Sequence, residues 1–235
     1  MSGAVIAIDG PAASGKSSTA RAVAESLGFA HLDSGSLYRA VTLVALREAA
    51  RRAAAGEPVG PGDAGTILRA AEDRGLLLYP DGAGFTTYLE GEPIDGLIRE
   101  PEVTREVSAV SAMPVIREWV NTRLRAVVRE GRDVVLDGRD IGTVVFPEAD
   151  LKIFLTATPE ARAGRRISQR GQVIDVDELA RETAALAARD AADSARPVAP
   201  LRRADDAVDI DTTRMSFEDQ VARIVELARE RLSRR

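Results

Sequence analysis

The feature that most constrains the fold of this 235-residue chain is a glycine-rich segment between an apolar run and a helical pattern. The apolar run at residues 5–8 does not alternate with polar residues, which is typical of a strand buried on both faces of a parallel sheet. Residues 10–17 then read G-P-A-A-S-G-K-S and match G-x-x-x-x-G-K-[ST] in full. From Ser17 onward, apolar residues recur at helical spacing until Gly28, a helix-ending residue. Strand, curled loop and helix in this order predict an α/β protein with a parallel sheet.

The glycine loop predicts a binding site for nucleotide phosphates. Glycines let the backbone curl so that successive N–H groups point at phosphate oxygens, beside the positive end of a helix dipole. Only two of the 32 basic residues are lysine, Lys16 and Lys152. Lys16 offers a compact charge on a flexible stem for the β- and γ-phosphates, and the Ser17 hydroxyl is suited to Mg²⁺. The predicted nucleotide-binding residues are Gly10, Pro11, Ala12, Ala13, Ser14, Gly15, Lys16, Ser17 and Ser18.

The loop alone is compatible with a GTPase, an ATPase or a kinase, because all three bind nucleoside triphosphates in this way. The chain contains no Asn-Lys-x-Asp segment of the kind that reads guanine, which disfavours a GTPase. The choice among the others depends on the rest of the chain.

Composition bounds the partners and the location. The net charge of −5 gives no global basic field for nucleic acid, although local arginine clusters can still bind small anions. The absence of cysteine excludes disulfides and thiolate metal sites and fits an intracellular protein. The N-terminal apolar run is too short for a signal peptide or a membrane span. We therefore expect a cytoplasmic protein with small-molecule partners, no nucleic acid and no membrane. Nothing in the sequence demands an oligomer, so we expect a monomer.

Periodicity and turn residues predict the remaining elements. Further buried strands are predicted at residues 133–136, 151–155 and 207–210. Helices are predicted at 37–54, from Pro101, from Pro114, at 177–193 and after Ser216. Residues 57–65 contain Pro and Gly and interrupt regular structure. Residues 76–95 alternate and contain two turn dipeptides, which predicts an antiparallel hairpin. A hairpin among parallel-strand signals indicates an insertion.

Two further segments follow predicted strands and carry charged side chains. LDSGSLYRA, residues 32–40, offers Ser34, Tyr38 and Arg39, and DGRDIGTVVFPEA begins at Asp137. Ligands of open parallel sheets bind beyond the carboxyl ends of the strands. We therefore expect both segments to share one crevice with the phosphate loop.

With these segments in this order, the chain resembles the bacterial cytidylate kinases, a family of nucleoside monophosphate kinases. The resemblance runs end to end through DGPAASGKSS, LDSGSLYR, the hairpin insertion, SAVSAMPVIR, DGRDIGTVVFP, LKIFLTA and RDAADSARPVAPL. It implies a five-stranded parallel P-loop sheet flanked by helices, an inserted monophosphate-binding domain with a small antiparallel β piece, and a short lid. It also implies transfer of the γ-phosphoryl group of MgATP to CMP or dCMP.

The resemblance divides the chain into three parts. The core would comprise residues 1–36, 114–157 and 173–235, the monophosphate-binding domain residues 37–113, and the lid residues 158–172. The lid arginines Arg162, Arg165 and Arg166 would neutralise charge on the transferring phosphate together with Lys16. A solvated helix face that includes Arg170 is the alternative interpretation.

The resemblance also assigns the acceptor site residue by residue. It implies that Arg39 and Arg139 hold the α-phosphate of CMP and that Asp140 accepts from the cytosine amino group, which a carboxylate distinguishes from the uracil oxygen. Asp137 would orient Mg²⁺ through water, beside Ser17. The remaining acceptor residues are Ser34, Arg117 and Arg196 for the base, Ser108, Arg189 and Asp193 for the sugar, and Tyr38 for the pocket wall.

Two alternatives remain at this point. The nearest is a kinase of the same architecture that acts on UMP or another small acceptor. A nucleotide-dependent switch protein without phosphoryl transfer would leave DGRD and RDAADSAR without a function. His31, the only histidine, is expected to be structural, because a phosphate acceptor needs no general base.

Overall fold

The computed structural model describes residues 3–57, 63–129, 131–171 and 173–234. The chain divides into two units. The sheet unit joins Met1–Leu32 to Val127–Arg235, and the inserted unit is Asp33–Ala126. No helix within the described residues combines the length and the apolar character that crossing a bilayer requires.

The sheet unit is built around a five-stranded parallel sheet, as the sequence predicts. Its strand order is β2-β6-β1-β7-β8. The central strand β1 pairs with β6 in the register Val5↔Val134 and with β7 in the register Ile6↔Leu151. The strands are β1 Val5–Asp9, β2 Ala30–Asp33, β6 Val134–Gly138, β7 Leu151–Thr156 and β8 Val208–Asp211.

Helices cover the sheet because its strands are apolar on both faces. Every residue of β1 and of β6 is buried. Ile6, Ile8 and Ile153 of the sheet share one apolar cluster with Val23 and Ile224 on two of the helices. Full burial of such a side chain contributes about 1.5–3 kcal/mol. The helices of the sheet unit are α1 Lys16–Leu27, α6 Pro159–Gln169, α7 Val176–Ser194 and α8 Phe217–Leu232.

The inserted unit combines helices with a small antiparallel sheet. Its three strands lie in the order β3-β4-β5, with bounds Leu77–Asp81, Gly84–Leu89 and Glu92–Pro93. Its helices are α2 Ser34–Ala54, α3 Ala64–Asp73 and α4 Pro101–Ser111, with a 3₁₀ turn at Leu97–Arg99. Helix α5, Pro114–Arg129, begins in this unit and continues past its end.

Capping residues explain most of the helix starts. Thr158 accepts from the N–H of Ala161 at the start of α6, and Ser216 accepts from the N–H of Asp219 at the start of α8. Both caps were expected from the sequence. Helix α2 starts at Ser34, three residues earlier than predicted, because Asp33 caps it by accepting from the N–H of Gly35.

The structure corrects the sequence prediction in three places. The predicted hairpin gains a third strand, because Glu92–Pro93 pairs with β4. Helix α3 was not predicted, because its first two residues, Ala64 and Gly65, belong to the stretch 57–65 that was expected to interrupt regular structure; residues 58–62 of that stretch lie outside the described residues. Strand β6 continues through Gly138, and a π-helical turn follows at Ile141–Val145.

Candidate functional site

The phosphate loop has the curvature that its glycines were expected to allow. A Cβ on Gly10 would lie 2.2 Å from the carbonyl oxygen of Leu155 in β7, so no side chain fits there. Gly15, at the N-cap of α1, has a φ of 89°, which glycine adopts without steric cost. Ala13 also has a positive φ, 57°, which is unfavourable for a residue with a side chain.

Lys16 lies inside the loop and not on its surface. Its side chain is buried at 7% exposure, and Nζ donates to the carbonyl of Pro11 at 2.9 Å. The hydroxyl of Ser14 is also buried and has no hydrogen-bond partner among the described residues. The first N–H groups of a helix have no intrahelical acceptor. A buried cation, an unpartnered hydroxyl and a helix N-terminus fit an anionic group.

Asp137, near the end of β6, lies beside the loop and is held at both carboxylate oxygens. Its Oδ2 accepts from the Ser17 hydroxyl, and its Oδ1 lies 2.8 Å from Nε2 of His31. Burial acts to raise the pKa of Asp137, but the hydrogen bonds from His31 and Ser17 and the charge of Lys16 outweigh it, so that the pKa lies below its ordinary value. The carboxylate therefore stays ionised.

The Ser17 hydroxyl and the Asp137 carboxylate fit a hard cation that prefers oxygen ligands. Among the described residues there is no group of three or more His, Asp or Glu side chains that could hold a metal ion. A cation here would need further ligands from a nucleotide or water. That requirement suits Mg²⁺, which keeps several waters and binds through one or two carboxylates plus substrate phosphates.

A second buried carboxylate, Asp9, fixes the segment after β6. It accepts from the N–H groups of Ile141 and Gly142 at 2.8 and 2.7 Å. Burial raises the pKa of Asp9 to about 6, although these two hydrogen bonds act in the opposite direction. Asp9 thereby holds the π-helical turn that immediately follows Asp140, itself buried. The conformation of the predicted base-reading residue thus depends on the end of β1.

Within the sheet unit, three predicted acceptor residues form one cluster. Asp193 of α7 accepts from Nε of Arg139 at 2.9 Å and from Nη2 of Arg196. Arg189 lies on the same helix, one turn earlier. The carboxylate is 2% exposed, so it orients both guanidinium groups without competition from water.

Within the inserted unit, the predicted residues lie on helices and not on the antiparallel sheet. Arg39 of α2 donates to the hydroxyl of Thr104 at 2.9 Å and to the carbonyl of Ile98 at 3.3 Å. The guanidinium of Arg117 lies 5.1 Å from the ring centroid of Tyr38, within the range of a cation–π contact. Ser34 is buried at the first position of α2, and Ser108 is half-buried on α4.

The three predicted lid arginines have different surroundings on α6. Arg162 is buried and contacts Asp190 of α7. Arg165 donates to Oγ1 and the carbonyl of Thr212, and its Nη1 lies 3.5 Å from the carbonyl oxygen of Ser14. Arg166 pairs with Glu182 of α7, which also binds Arg170. Two of the three, Arg162 and Arg165, therefore contact the phosphate loop or its immediate surroundings.

Some residues of the site were not expected from the sequence. His31 was expected to be structural, yet it contacts Asp137. Asp190 was overlooked although it lies within RDAADSAR, between two residues that were selected. Asp9 was taken only as a strand-ending residue. Position was the available signal for Asp9, which ends β1, and for Asp190, which lies within RDAADSAR; His31 lies inside β2 and carried no such signal.

Comparisons with known proteins point to one family. The chain matches the family model described as cytidylate kinase over residues 6–230. Cytidylate kinases from Geobacillus sp. (strain WCH70) and Geobacillus kaustophilus are 42% and 44% identical over 230 residues, which is 97% of this chain and 97% of each relative. The cytidylate kinase of Streptomyces griseus is 42% identical over 227 residues, covering 96% of this chain and 93% of the relative.

Proposed function

The chain belongs to the cytidylate kinase family, and we propose on that basis that it transfers the γ-phosphoryl group of ATP to CMP or dCMP. The products are CDP or dCDP and ADP. The observation that carries the proposal is the phosphate loop, in which buried Lys16 follows a buried strand and begins a helix. The match of family and relatives over almost the whole chain selects the cytidylate as acceptor.

The donor end of the reaction rests on the loop. The N–H groups at the start of α1 bind phosphate oxygens, and Lys16 neutralises charge on the β- and γ-phosphates. The unpartnered hydroxyl of Ser14 gains an acceptor when a phosphate enters. These contacts position ATP and stabilise the charge that develops as the phosphoryl group leaves.

Ser17 and Asp137 are the residues that would hold Mg²⁺. When bound, the ion supplies charge neutralisation at the β- and γ-phosphate oxygens. Asp137 orients the Ser17 hydroxyl by accepting its hydrogen bond. The lone pairs of the hydroxyl oxygen are then free to face a cation. His31 holds the other carboxylate oxygen of Asp137.

The acceptor end rests on arginines and on Asp140. Arg39 and Arg139 bind the α-phosphate of CMP, and Asp140 accepts from the cytosine amino group. The other assigned residues bind as the resemblance implies, with Ser34, Arg117 and Arg196 at the base, Ser108, Arg189 and Asp193 at the sugar, and Tyr38 at the pocket wall. Support comes from the Asp193 carboxylate, which fixes Arg139 and Arg196, and from the stacking of Arg117 on Tyr38.

The chemical step is an in-line displacement. An oxygen of the CMP phosphate forms a bond to the γ-phosphorus while the bond from that phosphorus to the β–γ bridging oxygen breaks, so that ADP leaves. No general base is required, since a phosphate monoester has a second pKa near 6 and is largely ionised at neutral pH. The protein contributes orientation and charge neutralisation, with Arg165 and Arg166 of α6 acting on the transferring group.

An acceptor panel tests the proposal. We would measure ADP formation with CMP, dCMP, UMP, AMP and shikimate for the wild type and for Asp140→Ala. CMP and dCMP should be the fastest acceptors, and Asp140→Ala should lower kcat/KM for CMP by about 10- to 100-fold, as expected for one lost base contact.

The exposed Asp209 of β8 provides a control, because Asp209→Ala removes a carboxylate whose ion-pair partner among the described residues is Arg203, at the surface of the sheet unit. UMP or AMP outpacing CMP severalfold would contradict the assignment of the acceptor. Unchanged CMP turnover in Asp140→Ala would remove Asp140 from the site. ATP binding without acceptor-stimulated ADP formation would identify a switch protein instead.

A further inference from the structure

The phosphate loop is held by hydrogen bonds to both the N–H and the carbonyl group of Ala12. The N–H of Ala12 donates to Oδ1 of Asp190 at 2.9 Å. The carbonyl of Ala12 accepts from Nη1 of Arg162 at 2.8 Å. Nη1 of Arg162 also donates to Oδ2 of Asp190 at 2.5 Å. The three contacts form a closed ring that joins the loop to α6 and α7.

The buried position of this ring leaves Arg162 little freedom. Arg162 is 5% exposed, and its Nε also donates to the carbonyl of Ala157 at 3.1 Å. The guanidinium charge is compensated by Asp190 in a partly dehydrated environment. Pulling Arg162 away toward a nucleotide would leave that carboxylate without its cationic partner, which is costly when the group is shielded from water.

The ring surrounds a part of the loop that needs support. Ala13, next to Ala12, has a φ of 57°, a conformation that is strained for a residue with a Cβ and that persists only where its surroundings enforce it. Apolar contacts reinforce the ring, because Ala12 packs in one cluster with Ala163 of α6 and Leu186 of α7. Hydrogen bonds and packing therefore act on the same residue.

We propose that Arg162 and Asp190 are positioning residues that hold the phosphate loop in its binding curvature, and that Arg162 does not act on the transferring phosphate. This inference rests on the proposed function only in taking ATP and ADP as ligands of the loop. It separates Arg162 from Arg165 and Arg166, the other arginines assigned to the lid.

The same two helices supply a matched control. Glu182 of α7 pairs with Arg166 of α6 and with Arg170, which caps the end of α6, so Glu182→Ala also breaks ion pairs that link α6 to α7. Glu182 makes no contact with the phosphate loop in the described hydrogen bonds and ion pairs. A loss caused by loosening of the two helices would appear in both variants, and a loss caused by the loop only in variants of Arg162 and Asp190.

Calorimetric binding of ATP and of ADP to the full chain tests the proposal, with Arg162→Met, Asp190→Ala and Glu182→Ala. A positioning role predicts that Arg162→Met and Asp190→Ala weaken ATP and ADP alike, by about 10- to 100-fold, as displacement of a binding group does. The double variant should lose no more than the larger single loss, because both residues act through one ring. Glu182→Ala should stay within about twofold of the wild type for ADP, since it leaves the loop intact.

ADP distinguishes the two roles of Arg162 because it lacks the γ-phosphate. Unchanged ADP affinity with lowered phosphoryl-transfer rate in Arg162→Met would overturn the proposal and return Arg162 to the transferring group. An equal loss of ADP affinity in Glu182→Ala would also overturn it. If Asp190→Ala does not fold, Asp190→Asn replaces it, because asparagine keeps an acceptor for the N–H of Ala12 but loses the charge that pairs with Arg162. This variant should show an intermediate loss of ADP affinity. Full wild-type affinity would contradict the role of the ring in holding the loop. These binding measurements need no acceptor, so failure of the CMP assignment would leave them valid.

Discussion

The two sheets of this protein use strands in opposite ways. Strands β1 and β6 of the parallel sheet are buried at every position, whereas β3 of the antiparallel sheet alternates between exposed and half-buried residues. Strand β1 ends in the buried Asp9, and the buried Asp137 is the penultimate residue of β6. Strand β3 ends in Asp81, which is exposed and binds the hydroxyl of Thr86.

Burial decides which strand positions can support chemistry in this protein. A strand buried on both faces carries no function along its length, but its carboxyl end delivers a side chain into a dehydrated position, where hydrogen bonds and charges are strong. A half-exposed strand delivers its side chains into water. The predicted site residues of the inserted unit accordingly lie on helices α2, α4 and α5 and not on its sheet.

The largest expected effect lies in the loop that the parallel sheet supports. Lys16→Ala should lower CMP-dependent turnover by about 10³-fold, or about 4 kcal/mol of transition-state stabilisation, because a charge facing the phosphates is removed. Steady-state kinetics measures the loss, and circular dichroism checks that the fold remains. Lys16→Arg keeps the charge but not its shape and should also be impaired. Wild-type turnover in Lys16→Ala would remove the loop from the mechanism.

A matched pair of leucines compares the stability of the two sheets. Leu136 of β6 is 0% exposed and Leu77 of β3 is 58% exposed. Leu136→Ala should lower the free energy of unfolding by about 2–5 kcal/mol through lost burial and a cavity, and Leu77→Ala by about 0.5 kcal/mol or less. Denaturant titration followed by circular dichroism measures both. Equal losses would mean that the exposed face of β3 is a packing surface.

The buried aspartate that ends β1 predicts a pH dependence of stability. The native pKa of Asp9 is raised from 3.8 to about 6, so the native state binds this proton more tightly than the unfolded state. The stabilisation is complete below pH 3.8 and is lost as the pH rises through about 6, which corresponds to about 3 kcal/mol. Asp9→Asn should remove this downward slope from the unfolding free energy between pH 4 and 6.5.

The exposed Asp81 is the control for that measurement. Asp81→Asn removes an exposed carboxylate that binds the hydroxyl of Thr86, and its slope of unfolding free energy against pH is the reference for the slope of Asp9→Asn. The comparison is between slopes, since both variants also alter hydrogen bonds that do not depend on pH. An Asp9→Asn slope identical to that of the wild type would show that Asp9 titrates near its ordinary pKa.

The smallest effect concerns two threonines of β4. Thr87 is 0% exposed, and its hydroxyl has no hydrogen-bond partner among the described residues. Thr87→Val should stabilise the protein by about 1 kcal/mol, because an unsatisfied buried hydroxyl is replaced by a methyl group. Thr86→Val, which loses an exposed hydrogen bond to Asp81, should be neutral or slightly destabilising. Thermal denaturation of both variants measures the difference, and destabilisation by Thr87→Val would indicate a bound water.

The sequence predicted the elements whose signals are local. Strand β1, the loop, helix α1 and the caps at Thr158 and Ser216 follow from apolar runs, glycines and hydroxyl residues over a few positions. The third strand β5 was missed because two residues carry no periodicity and their pairing with β4 is tertiary. The π-helical turn was missed because Asp9, 132 residues away from Ile141, holds it.

The residues of the candidate site also divide into those with a local sequence signal and those whose role depends on tertiary contacts. Lys16, Ser17 and Asp137 were predicted from motif and strand end, and they lie together in the sheet unit. The roles of His31 and Asp190 depend on which side chains meet after folding, and a single sequence does not encode that pairing locally. Arg162 cannot be distinguished from Arg165 and Arg166 in the sequence, because all three are arginines of the same predicted lid. Only the fold shows that Arg162 is the buried one of the three.

One contact at the start of the loop has an evolutionary consequence. The backbone of β7 occupies the place where a Cβ at position 10 would lie, and every amino acid other than glycine carries that atom. A saturation library at this codon, selected for any activity of the folded enzyme, should therefore return glycine alone. Descendants of this protein that change their substrate should therefore carry substitutions at other positions and retain Gly10.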